Sequence, residues 1–224
     1  MRKGEEKRQQ LLDAAEGLFC QKGYESTSVQ DILNAATLSK GGFYHHFASK
    51  EEVIHALCKR RGERAAAYTV EALKQANTPL GRINAVLYGF IPLRIEEASY
   101  VKMVLEGIDR PEGRAVAMSY QDSLAKHFLP LLQSEVANAS AAGVVFPPVK
   151  DMESIILHTV NHCWMEAAAL MKKSLQENSR LDQLALLGIM EKYRRAVEVL
   201  LDAPYGTMEI IRIEEVNDLM RSIA

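Results

Sequence analysis

Between Leu38 and Phe47 the chain reads Leu38-Ser39-Lys40-Gly41-Gly42-Phe43-Tyr44-His45-His46-Phe47, a run that interleaves hydrogen-bond donors with two glycines and two phenylalanines. Ser39, Lys40, Tyr44, His45 and His46 can donate to anionic oxygens or to the polar edges of bases. Gly41 and Gly42 bring no side chains, so their backbone can come close to another surface. Each glycine costs a helix about 1 kcal/mol. A glycine pair inside so short a helix therefore needs a reason, and close approach to a nucleic acid supplies one. Phe43 and Phe47, four residues apart, fit the packing pattern of a core instead. Upstream, Thr27 and Ser28 stand at a helix start, where a hydroxyl and the positive end of the helix can share an anion. Downstream, Lys50 begins another helix, where its charge and the helix dipole can share one phosphate. His45 and His46 do not form a metal pair, because adjacent helical residues point apart.

The elements that must position these residues read as helices almost throughout. Leu11, Leu12, Ala15, Leu18 and Phe19 recur at helical spacing, and Gly23 ends that segment. Thr27 and Gln30 have the spacing of a capping box at the start of a second helix, which buries Val29, Ile32 and Leu33. A short third helix spans Ser39 to about His46. Ser49 and Glu52 make a second capping box, and a fourth helix runs from there to about Ala76. Thr78-Pro79 opens a fifth, as N-cap and first-turn proline, with Pro92 as a kink. Asp109–Gly113 reads as a turn. Helices are expected over about Glu112–Ala141, Asp151–Gln176 and Ser179–Asp202. A short extended piece over Met208–Ile213 and a helix over Glu214–Ile223 would follow. The fold class is all-α.

Composition bounds the function classes. Hydrophobic residues are 48% and charged residues 25% of 224, ordinary for a globular protein. No stretch approaches the roughly 18 apolar residues of a membrane span. The charged N-terminus lacks the apolar core of a signal peptide. The three scattered cysteines form no CxxC pair, which fits reduced thiols and a cytoplasmic location. Up to Arg64 there are 11 basic and 9 acidic residues, and 16 and 20 beyond it. That mild asymmetry permits an N-terminal DNA-binding unit. No nucleophile–base pair, acid pair or Gly-rich phosphate loop points to catalysis, and no cofactor motif is present.

Two short helices at Thr27–Ala36 and Ser39–His46, braced by the first helix, have the helix-turn-helix plan. The run Thr27-Ser28-Val29-Gln30-Asp31-Ile32, then Leu38 to Phe47, then Ser49-Lys50-Glu51-Glu52, resembles the DNA-binding domain of the TetR family of bacterial repressors. The resemblance covers about Glu5 to Arg60 and is highly specific. It implies an N-terminal helix-turn-helix domain over 1–60 and a helical ligand-binding and dimerisation domain over 61–224. Tyr44 and His45 resemble the family's phosphate and base contacts, with His46 a further polar candidate. The sequence departs at Thr37, where the family usually has glycine, so a slightly different turn is expected there.

So few base-reading side chains bind weakly alone, so two half-sites on pseudo-palindromic, double-stranded operator DNA are expected, and hence a homodimer. The two long C-terminal helices offer apolar faces for it, and the resemblance implies a four-helix interface between subunits. The resemblance also implies a small-molecule effector that changes the spacing of the two DNA-binding heads. Tyr88, Phe90, Met103, Met118, Tyr120, Leu124, Phe128, His158, His162, Trp164 and Met165 are candidates to line a mainly apolar cavity with a few polar groups. An alternative is a helical metalloprotein or enzyme using His158, His162 and Glu166, whose spacings of four share one helix face. A third is a regulator answering to a protein partner.

Overall fold

The computed structural model describes residues 3–107 and 111–223. Among them the regular elements are all helical: α1 Lys3–Lys22, α2 Val29–Ala36, α3 Lys40–Tyr44, α4 Lys50–Gln75, α5 Pro79–Gly89, α6 Ala98–Gly107, α7 Pro111–Ala141, α8 Glu153–Gln176, α9 Gln183–Leu201 and α10 Ile213–Ile223, with a short 3-10 turn at Ile95–Glu97. Of the turn expected over Asp109–Gly113, residues 109–110 lie outside the described residues, and residues 111–113 are not a turn but the start of α7.

Several boundaries differ from the sequence reading, and three of the differences have a local reason. The cap of α2 is Ser28, not Thr27. Thr27 is buried, with its hydroxyl donating to the Gly23 carbonyl at 2.8 Å. Ser28 therefore caps, and Asp31 takes the reciprocal role expected of Gln30. Helix α5 does not bend at Pro92 but ends at Gly89, and α6 is a separate helix. Proline disfavours helical backbone at the residue before it and has no N–H to give, so the chain leaves the helix early. The tail expected to be extended has no strand pairing; Met208, Ile210 and Ile211 are buried irregular chain that delivers α10 to its site.

The described residues fall into two compact units. One holds the chain up to Arg61 together with Ser99–Tyr120; the other holds Gly62–Ala98 and Gln121 onward. In the first unit Leu11, Leu12, Ala15 and Phe19 of α1 are buried with Ile32, Leu33, Phe43, Phe47, Ile54 and Leu57. Arg60 and Arg61 of α4 clamp Glu16 of α1 at 2.6 and 2.5 Å. The Arg61 guanidinium also lies 4.3 Å over the Tyr100 ring of α6. His55 Nδ1 is 2.5 Å from the Ser119 hydroxyl, which ties α4 to the first part of α7. Burial pushes the Cys58 thiol up to about 11 and that of Cys163 up to about 12, so both stay protonated.

The second unit is built on the packed pair α8 and α9, with Ile156, Val160, Cys163, Ala167 and Met171 buried on one and Leu186, Val197 and Leu201 on the other. Glu198 is fully buried and holds the tail. One carboxylate oxygen accepts from Arg194 at 2.9 Å and from the backbone N–H groups of Gly206, Thr207 and Met208 at 2.8, 3.0 and 3.3 Å. Arg82 of α5 grips buried Glu135 of α7 through two nitrogens at 2.6 and 2.8 Å. Gly89 has no room for a side chain: a Cβ there would overlap Thr69 of α4.

Candidate nucleic-acid interface

The candidate interface is the outer side of α2 and α3. Ser28 starts α2 with a complete capping box. Its hydroxyl accepts from the Asp31 N–H at 3.1 Å, and its own N–H and hydroxyl donate to the Asp31 carboxylate at 2.7 Å. These bonds, with Lys22 at 2.9 Å, hold the Asp31 carboxyl well below the usual carboxylate range. Helix α2 ends at Thr37, whose φ of 53° and ψ of 44° are left-handed. The turn therefore has the conformation that glycine adopts most easily, and Thr37 is strained into it rather than reshaping it. Sequence reasoning expected a different turn; the backbone is the glycine-type turn with a β-branched residue in it.

Helix α3 is only five residues long, shorter than the expected Ser39–His46, and Ser39 caps it by accepting from the Gly42 N–H at 3.3 Å. Phe43 and Phe47 point inward with ring centroids 6.1 Å apart, and Arg8 of α1 covers Phe47. Ser39, Lys40, Gly41, Tyr44 and His45 are exposed. A Cβ at Gly41 would meet nothing within 4 Å, and one at Gly42 only ordinary contacts. Neither glycine has a positive φ. Nothing among the described residues asks for glycine at 41 or 42.

The remaining candidates are placed differently. Thr27 faces inward. His46 is half-buried beside α1, its ring 4.9 Å from that of His45; burial, then the charges of His45 and Arg8, push its pKa down. Lys50 donates from Nζ to the Tyr24 carbonyl at 2.9 Å and sits 4.2 Å over the Tyr24 ring. It thus secures the loop leading into α2, with N–H groups left to offer outward. Sequence reasoning missed Asp31 and Lys22, which hold the start of α2. The signal was the Ser28-x-x-Asp31 spacing, shadowed by the equivalent Thr27-x-x-Gln30.

The candidate effector residues do not gather in one place. Phe90, His158 and His162 line a cavity of about 270 Å³ in the second unit. Its other walls are Ala125, Leu129 and Leu157, with Gln121, Asp122, Ser154 and Asn161 supplying polar groups. Leu124, Phe128 and Trp164 are buried in that unit, Met165 is half-buried, and Tyr88 lies under the Arg212 guanidinium at 4.7 Å. Met103, Met118 and Tyr120 belong to the first unit. There Tyr120 stacks edge-on with Tyr100 at 4.9 Å and Met118 is exposed. The four polar lining residues were missed. On α8 the stripe Ser154, Leu157, His158, Asn161, His162 repeats at helical spacing and could have revealed two of them.

Glu166 does not join His158 and His162. Its carboxylate is held by Lys192 at 2.6 Å and by the Tyr193 hydroxyl at 2.7 Å, which keeps its pKa low. Among the described residues no cluster of three His, Cys, Asp or Glu could hold a metal. The metal alternative loses its third ligand for that reason. Nor is any described helix long and apolar enough to cross a membrane.

A bracing helix, a capped helix, a tight turn and a short helix with glycine and polar groups outward define a helix-turn-helix protein. Residues 11–57 match the family described as bacterial regulatory proteins, tetR family. The repressor KstR2 of Mycobacterium tuberculosis H37Rv is 42% identical over 53 residues, 24% of this chain and 26% of that protein. The regulator UidR of Escherichia coli K12 is 28% identical over 109 residues, 49% of this chain and 56% of that protein. The chain thus spans between about a quarter and about half of the curated relatives it matches. Among solved structures, Salmonella enterica GusR aligns with a TM-score of 0.57 at 22% identity, covering 91% of this chain and 99% of that one. Bacillus subtilis FadR, in complex with stearoyl-CoA, aligns at 0.59 and 16% identity over 88% and 99%. These likenesses show the same all-helical fold. The N-terminal helix-turn-helix, residues 11–57, is that of the tetR family of regulatory proteins.

Proposed function

We propose that the protein is a homodimeric, sequence-specific DNA-binding repressor that leaves a pseudo-palindromic operator when a small effector fills the cavity of its second unit. Residues 1–60 are the DNA-binding domain and 61–224 the ligand-binding and dimerisation domain. The observation that carries this reading is the glycine pair of α3, which has no internal reason and lies on an open face beside Ser39, Lys40, Tyr44 and His45. Ser39 and Lys40 reach base edges; Tyr44 and His45 contact phosphate and bases; Ser28, His46 and Lys50 add phosphate contacts. Thr27 acts from beneath, as the support of the α2 cap.

Dimerisation is supported by the exposed apolar side chains Ile155 of α8 and Leu184, Leu187 and Val199 of α9; Leu184 is 82% exposed. Such side chains are what a four-helix interface would cover. Effector control is supported by a cavity whose walls are largely apolar with a few polar groups.

Footprinting and titration at several salt concentrations test the reading. The wild type should protect two half-sites about 10 base pairs apart or a multiple of that. Lys50→Ala should weaken binding to every sequence and lower the salt slope by about one unit, whereas Lys40→Ala should relax base preference. Equal affinity for all DNA sequences, or full affinity for a lone half-site, would overturn it.

A further inference from the structure

The cavity of the second unit is unevenly polar. At about 270 Å³ it lies near the lower end of ligand-site volumes, roughly 300–1,000 Å³. That suits a compact ligand of one ring and a short side arm. Phe90, held edge-on against Phe128 at 5.5 Å, and Leu129 and Leu157 give the ring apolar walls.

The polar side of the cavity carries a carboxylate and no Lys or Arg. Asp122 contributes a carboxylate, which only accepts when ionised, and it has no ion-pair partner among the described residues. His158 Nδ1 lies 2.7 Å from the Ser154 carbonyl oxygen. A carbonyl cannot donate, so that nitrogen carries the hydrogen and spends it inside α8. No Lys or Arg occurs among the described lining residues. A carboxylate ligand would meet Asp122 with no fixed cation to offset the repulsion. An ammonium would meet the Asp122 carboxylate, with the side-chain carbonyl oxygens of Gln121 and Asn161 in the same lining.

Resting on the reading of this cavity as the effector site, we infer that the effector is a compact cyclic amine, cationic at neutral pH, with Asp122 as its charge partner. Carboxylates and acyl thioesters are the wrong chemistry.

Calorimetry with three probes of equal skeleton tests this: phenethylamine, 2-phenylethanol and phenylacetate. The wild type should bind phenethylamine at least about tenfold more tightly than phenylacetate, with the alcohol between them. Asp122→Asn should remove most of that preference while leaving the circular dichroism spectrum unchanged. Leu129→Trp, which fills the cavity, should abolish binding of all three. Equal or tighter binding of phenylacetate would overturn the inference. So would a preference unchanged in Asp122→Asn, or no binding of any probe at millimolar concentration. The same probes added to the protein–operator complex separate the two readings. If the amine binds as expected but leaves the complex intact, the ligand chemistry stands and effector release fails.

Discussion

The outer face of α3 and the seat of Glu198 are opposites. Around Glu198 nearly everything is fixed from within: a fully buried carboxylate, Arg194 on it, and three backbone N–H groups of the returning tail. On α3 almost nothing is fixed from within. Gly41 has empty space above it and Gly42 only ordinary contacts, and Lys40, Tyr44 and His45 are exposed. Residues of the first kind answer to the fold. Residues of the second kind answer to something outside the chain, and that contrast separates support from interface without a bound partner in view.

Substitution should break the two regions in opposite ways. The largest effect is expected at Glu198→Ala. It leaves the N–H groups of Gly206, Thr207 and Met208 without their acceptor and takes one of two carboxylates from Arg194, which keeps Glu191; it should destabilise the second unit by about 3–5 kcal/mol. Urea denaturation measures it, and operator affinity of the folded fraction should be unchanged. Next comes Gly89→Ala, whose Cβ collides with Thr69; overpacking of this kind costs about 1–3 kcal/mol. Gly89→Ala,Thr69→Ala, which removes the hydroxyl that lies closest to the new Cβ, should recover part of the loss. Smaller and of opposite sign is Thr37→Gly. Thr37 is exposed and left-handed, so glycine should raise stability by about 1 kcal/mol, seen as a higher urea midpoint. A fall in the midpoint would mean that Thr37 makes a contact its exposure does not suggest.

What could be read from the sequence follows the same divide. Helices with long apolar periodicity, α1, α8 and α9, were legible, as was the Thr78-Pro79 start of α5, because their signals are local. The glycine pair was legible because it violates a local rule. Three features were not. Thr27 and Ser28 carry the same capping signal one residue apart, and only the burial of Thr27 decides between them. Helix α6 was hidden behind Pro92, since a proline that bends a helix and one that ends it look alike in sequence. The rim of the cavity depends on α7 lying against α8, so Asp122 and Asn161 gain meaning only from each other's neighbourhood. Glu198 likewise looks like one more charged residue of a helix until the tail folds back onto it.

Gly41→Ala tests the central claim most directly, by pairing urea denaturation with operator titration on the same preparation. The methyl meets nothing within 4 Å and removes a helix-breaking residue. The variant should therefore be more stable by about 0.5–1 kcal/mol yet bind the operator at least about tenfold more weakly. A variant that gains stability and keeps full operator affinity would contradict the assignment of this face to DNA.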